Sequence, residues 1–133
     1  MQQFISLANR NADLVQLKPS VYERHTEAIF VRDDSPVYAL GPGSLREISH
    51  VHATGDFSAH VVLAPQDAKK VIESGWGELH PLAGVQIIKR MIGKMVPRPY
   101  VLLYAPRDDQ ELDILIEIIK ASVGFMTDSR DVK

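Results

Sequence analysis

Two β-like runs, residues 45–52 and 57–63, stand on either side of Ala53-Thr54-Gly55-Asp56, a stretch with the residues of a tight turn. A hairpin near the middle of a chain biases it toward an antiparallel sheet, and this one carries His50, His52 and His60. On a strand, residues two apart share a face, with about 6.5–7 Å between Cα atoms. His50 and His52 therefore point the same way; Ile48 joins them, while Val51 looks to the other side. The side taken by His60 depends on the turn. A three-residue loop at Gly55-Asp56-Phe57 sets His52 opposite His60, whereas a two-residue loop at Gly55-Asp56 puts His60 on the reverse face. One residue of register separates a triad from a pair.

The remaining elements are consistent with a single domain over residues 1–133. At 133 residues and 45% apolar content, roughly two-thirds of the unfolded surface can be buried. Phe4, Ile5, Leu7, Ala8, Ala12, Leu14 and Val15 recur at helical spacing, which predicts an N-terminal helix over 1–18, ended by Lys18-Pro19-Ser20. Residues 21–32, with Ala28-Ile29-Phe30-Val31, read as a strand closed by Asp33-Asp34-Ser35-Pro36. Residues 37–40 form a short strand or connector ahead of the loop Gly41-Pro42-Gly43-Ser44. Pro65 suits the first turn of a short helix with an Ala68, Val71 and Ile72 stripe and a stop at Gly75.

Residues 99–104 look like a buried strand. Asp108 with Glu111 resembles a capping box for a long helix with Leu112, Leu115, Ile116, Ile119 and Val123 on its buried side, stopped by Gly124. Segregated strands and helices favour an α+β fold: a single-layer, mostly antiparallel sheet of about four or five strands with helices packed on it. In residues 85–98, a variable loop or helix, Val85, Ile88, Met91, Ile92 and Met95 oppose Lys89, Arg90 and Lys94. That is the pattern of an interfacial helix, although such a stripe more often packs on its own domain, so membrane contact is the lesser expectation.

Charge and composition remove several functions. Fifteen Lys and Arg against seventeen Asp and Glu leave a net charge of −2, without the basic field that nucleic-acid binding requires. The absence of cysteine excludes a disulfide framework, a thiolate nucleophile and Cys-ligated metal, and fits a reducing, intracellular and cytoplasmic setting. No apolar run approaches the ~18 residues of a membrane span, so no membrane anchor is expected.

Imidazole titrates nearest neutral pH and is the commonest metal ligand, so His50, His52, His60 and His80 carry either proton transfer or coordination. A lone histidine more often hydrogen-bonds in or beside a core; a cluster shifts the balance toward chemistry. As a metal site, the pair on one strand plus a third ring from its partner suits a divalent transition metal, with Asp56 or Glu78 to complete the set. Without metal, one imidazole takes a proton from an acidic substrate while a second, or Glu78, orients it. Trp76, between Gly75 and Gly77, is either a pocket wall for a flat ligand or a core anchor. Pro81 holds His80 in place. Arg107, between a strand and a helix N-terminus, is a carboxylate or phenolate contact or a surface ion pair. His25 is far from the others in sequence.

Five stretches carry a resemblance: Arg24-His25-Thr26-Glu27-Ala28-Ile29-Phe30, Arg46-Glu47-Ile48-Ser49-His50-Val51-His52, Gly75-Trp76-Gly77-Glu78-Leu79-His80-Pro81-Leu82-Ala83-Gly84, Tyr104-Ala105-Pro106-Arg107 and Ala121-Ser122-Val123-Gly124-Phe125-Met126-Thr127. With these the chain resembles the luciferase domain of fungal bioluminescence and its wider luciferase-like family. The resemblance runs over about residues 21–128, and all five histidines fall on family histidine positions, which brings His25 into the expected site.

The resemblance implies an oxidoreductase that oxidises an electron-rich hydroxypyrone, 3-hydroxyhispidin, with molecular oxygen and without flavin, ATP or another added cofactor. Its expected catalytic residues are His50, His52, His60, His80 and His25, with Trp76, Glu78, Tyr104 and Arg107 at the substrate. Two departures stand out: the fungal enzyme's N-terminal membrane segment has no counterpart here, and residues 86–98 replace a shorter proline-rich loop. The competing expectations are a metal-dependent enzyme using His50, His52, His60 and His80 as ligands, and a non-catalytic domain that binds a small aromatic ligand or a protein partner. The oligomeric state is left open.

Overall fold

The computed structural model describes residues 1–23, 25–37, 39, 45–81 and 99–133. Among them are three helices, α1 (Gln2–Arg10), α2 (Pro65–Glu73) and α3 (Asp109–Thr127). The strands are β1 (Val15–Pro19), β2 (Glu27–Val31), β3 (Glu47–Val51), β4 (Ala59–Val62), β5 (Gly77–Leu79) and β6 (Tyr100–Leu103). They form one six-stranded sheet in the order β1-β2-β3-β4-β6-β5. Every neighbouring pair is antiparallel, as the α+β reading anticipated.

The sheet has two unlike faces. Alternation along the register puts Ile29, Val51, Ala59, Val61, Val101 and Leu103 on one side, all of them in the apolar core. Helix α3 lies across this side, packed on β2, β3 and β4. Its Leu115, Ile116, Ile119, Val123 and Met126 enter the core, and the buried Ser122 hydroxyl donates to the Val62 carbonyl. Helix α1 adds Phe4, Leu7 and Ala8 beside α3. The opposite side of the sheet carries His50 and His60.

Three boundaries differ from the sequence reading. The N-terminal helix stops at Arg10, and residues 15–18, expected to belong to it, form edge strand β1 with Pro19 against β2. The cause is Asn11: its buried amide donates to the Leu7 carbonyl at 2.9 Å and to the Lys133 carbonyl at 3.0 Å, closing the helix against the chain terminus. Helix α3 runs through Gly124 to Thr127 and ends at Asp128, whose φ of 53° makes the left-handed cap. The strand expected over 21–32 is confined to Glu27–Val31.

Other expectations hold in outline. Asp108 caps α3 by accepting from the Glu111 N–H at 2.9 Å. The Glu111 carboxylate reaches back to the Arg107 N–H at 2.8 Å instead of Asp108. Helix α2 starts at Pro65 and is followed by Gly75 at φ 78°. Strand β5 was not anticipated, because three residues with Gly at the first are too short to show alternation. Gly77 is required there: a Cβ would stand 2.2 Å from the Leu102 carbonyl oxygen. The helix or loop expected at 85–98 and most of the connector at 37–40 with its glycine loop lie outside the described residues.

Candidate active site

The β3–β4 register decides the histidine geometry. His50 pairs with His60 and Val51 with Ala59, and the His52 N–H continues the ladder to the Ser58 carbonyl at 2.9 Å. The connection is residues 53–57, longer than either turn considered from the sequence, and Phe57 at φ 61° closes it. Its length has the parity of the three-residue loop, so His60 shares the face of His50 and His52 but sits opposite His50. Ring centroids are 5.0 Å apart for His50 and His60, 4.7 Å for His52 and His60, and 5.4 Å for His50 and His52.

His80 arrives from another element. Its N–H donates to the Tyr100 carbonyl at 2.8 Å, extending the β5–β6 pairing. Its ring stands 4.9 Å from that of His60, nearly perpendicular at 86°. Four imidazoles from three segments thus form one continuous group. Tyr100 flanks His60 at 5.0 Å and His80 at 5.5 Å, and Tyr22 flanks Tyr100 at 5.6 Å.

A β-bulge supplies a residue that strand alternation hides. The β2–β3 pairing steps from Ile29 with Ser49 to Phe30 with Glu47, so Ile48 is the extra residue. Glu47 therefore comes onto the face of His50, and Ile48, expected beside the histidines, is taken into the core. The Glu47 carboxylate, 3% exposed, accepts from the Ser20 hydroxyl and the Val21 N–H, each at 2.8 Å. Its Oε1 lies 2.7 Å from Nδ1 of the fully buried His50. Residues 20–23 and 25–26 lie over this face, and the Thr26 hydroxyl donates to the Val51 carbonyl at 2.7 Å.

Hydrogen bonding assigns the tautomers of two rings. Glu47 accepts the Nδ1–H of His50, which leaves Nε2 without a proton, buried and with no hydrogen-bond partner among the described residues. At His52, the Ser58 hydroxyl commits its hydrogen to Asp56 at 2.6 Å and so accepts from His52 Nδ1 at 2.9 Å. Nε2 of His52 is also buried and makes no hydrogen bond among the described residues. Glu23 Oε1 approaches it to 3.0 Å without hydrogen-bond geometry. One ring nitrogen from each of His50, His52 and His60 lie within 4.8 Å of one another.

The surroundings disfavour charge on His60 and His80. Burial, followed by the His50, His52 and His80 rings, depresses His60 to about 3. His80 is lowered by burial and by His50 and His52. Tyr100 and Tyr22 are pushed well above the usual phenol range, first by burial and then by the Glu47 charge. Both phenols stay protonated, and the Tyr100 hydroxyl stands 3.5 Å from His50 Nδ1. Such an array offers ring nitrogens beside phenolic donors.

The other residues expected at the site fall elsewhere. His25 is exposed in the turn before β2, and no ring contact joins it to the four among the described residues. Trp76 lines a cavity of about 730 Å³ on the helix side with Leu63, Lys70, Ile114 and Ile118. It also borders a smaller one of about 340 Å³ with Tyr104 and Arg107. Tyr104 is exposed and its hydroxyl donates to Glu78 at 3.4 Å. Arg107 is exposed and bound by Glu111, the ion pair weighed against a ligand contact. Glu47, Ser20, Tyr22 and Tyr100 were missed as site residues; only the β-character of residues 99–104 could have drawn attention to Tyr100.

The fold and site define an α+β domain whose open antiparallel sheet carries helices on one face and a partly buried imidazole cluster on the other. The Luciferase domain family matches residues 45–122, which span His50, His52, His60, His80, Glu47 and Tyr100. The chain belongs to this family. It is 38% identical over 126 residues to the luciferase of Armillaria gallica, covering 89% of this chain and 45% of that protein. The luciferase of Neonothopanus nambi is 35% identical over the same length and shares. The chain thus spans under half the length of these relatives. No solved structure matches it significantly. No helix among the described residues is long and apolar enough to cross a membrane.

Proposed function

We propose that this domain is a luciferase-like oxygenase. Its substrates are a small, electron-rich enol of the hydroxypyrone type, such as 3-hydroxyhispidin, and molecular oxygen, and it uses neither flavin nor ATP. The observation that carries this reading is the pair of buried Nε2 atoms on His50 and His52 that make no hydrogen bond among the described residues, with His60 and His80 beside them. An enol is acidic enough to give its proton to a neutral imidazole of this group, and the resulting enolate is electron-rich enough to react with oxygen without an organic cofactor. His80, less buried than His50, takes the proton. The Tyr100 and Tyr22 phenols, held protonated, wall the reacting ring and donate to developing negative charge.

Glu47 acts as a positioning residue through His50, fixing its tautomer. Family membership supports the reaction class, since the relatives are named luciferases. Incubation with 3-hydroxyhispidin in air, following photons, oxygen uptake and product mass, tests the proposal. Oxygen uptake with a heavier or decarboxylated product is expected, and is lost in His80→Ala. Binding of the pyrone with no product and no oxygen consumption overturns it in favour of a ligand-binding domain.

A further inference from the structure

We infer that His50, His52 and His60 form a binding site for one divalent late first-row transition ion, with His80 outside the ligand set. The inference starts from the same His50 and His52 nitrogens as the oxygenase reading but does not require that reading to hold. One nitrogen from each of the three rings lies within 4.8 Å of the others, compact enough for a shared ion with small rotations of the rings. Nitrogen ligands bind such ions at about 2.0–2.1 Å, which puts tetrahedrally disposed nitrogens about 3.3 Å apart.

Two features go beyond proximity. First, the tautomers suit coordination: Glu47 fixes the proton of His50 on Nδ1 at 2.7 Å, and the Ser58–Asp56 pair fixes that of His52 on Nδ1 at 2.9 Å. A carboxylate, or a carboxylate acting through a hydroxyl, behind the far nitrogen is the support that metal-ligating histidines usually have. Second, both Nε2 atoms are buried and make no hydrogen bond among the described residues, and His50 is fully enclosed. A buried ring nitrogen without a partner is destabilising unless a cation or a donor reaches it. A metal ion satisfies both without disturbing either Nδ1 bond, and the Glu23 carboxylate beside His52 adds favourable charge.

The donor set restricts the ion. Three neutral imidazoles and no thiolate suit zinc, cobalt, nickel, copper or ferrous iron, and not calcium or magnesium, which take oxygen ligands. Three protein ligands leave coordination positions open.

The test uses protein purified without a histidine tag, stripped with chelator and titrated with Co²⁺ and with Zn²⁺ in the absence of any pyrone. One ion per chain is expected, with a visible Co²⁺ absorption band and a melting temperature that rises with metal. His60→Ala should abolish the band. Ser58→Ala, which keeps all three rings, should weaken binding about 10- to 100-fold, and covers the case in which His60→Ala does not fold. His25→Ala, altering an exposed ring outside the group, should bind as the parent does. No saturable binding, or binding unaffected by both Ser58→Ala and His60→Ala, overturns the inference. Pyrone turnover by metal-free protein that binds no ion would overturn this site and leave the oxygenase reading standing; metal binding without turnover does the reverse.

Discussion

Glu47 Oε1 stands 2.7 Å from His50 Nδ1 although the two residues lie three apart on one strand, a spacing that ordinarily sends side chains to opposite faces. The bulge at Ile48 turns an odd spacing into an even one, and the carboxylate so introduced links the 20–26 turn to the imidazole cluster. Removing Glu47 therefore tests turn docking and ring orientation together.

Glu47→Ala removes the acceptor of the buried Ser20 hydroxyl, at a cost of about 1–3 kcal/mol if no water replaces it. A lower urea midpoint is expected. Glu47→Gln keeps the shape but can present its amide hydrogens to His50 in place of an oxygen, inverting the tautomer. It should lower kcat about 10- to 100-fold with a smaller change in KM; equal loss in both parameters would argue against a positioning role.

Gly77→Ala should be among the most damaging single-methyl changes in the chain. The added Cβ meets the Leu102 carbonyl oxygen at 2.2 Å and the Leu103 Cα at 3.2 Å, both backbone atoms that can yield only if β5 leaves β6. A loss of about 1–3 kcal/mol is expected, and His80 moves with the strand because its N–H is bonded to Tyr100. Thermal unfolding reads the first effect. Turnover measured well below the melting temperature reads the second.

Acid should destabilise the fold through His60. Its folded value of about 3 lies below the ordinary value of 6.5. Above pH 6.5 the ring is neutral in both states and contributes no pH dependence. As pH falls below that, the unfolded chain takes up the proton first, so stability declines toward pH 3. Urea midpoints between pH 7.5 and 5 should fall, and His60→Leu should flatten that decline even if its midpoint at pH 7.5 is lower.

Asp108→Ala removes the side chain that caps α3, leaving the Glu111 N–H at 2.9 Å without its acceptor. The expected loss is about 1 kcal/mol, or roughly 4 °C in Tm for a domain of this size. Asp108→Ser should recover most of it. A cap far from the histidines should leave turnover per folded molecule unchanged.

Much of the framework was legible in the residues because its signals are local. Pro65 and Gly75 bound one helix, Asp108 opens another, and the alternation of β3 puts His50 and His52 on one face whatever the rest of the chain does. The helical spacing of Phe4 to Val15 misled because periodicity cannot register Asn11, whose helix-ending bonds include one to a carbonyl 122 residues away.

What the sequence alone determined, then, is which segments pair and which residue types are offered to chemistry: a central hairpin, four clustered histidines, no thiol and no basic field. Tertiary structure decided the rest. The 53–57 connection set the parity that brings His60 to His50, and the Ile48 bulge delivered Glu47. The β5–β6 pairing carried His80 into the group while leaving Trp76 on the helix side. The physical reason is that facing and contact across a sheet depend on register, and register is settled by loop length and bulges acting between strands, not by the pattern within any one of them.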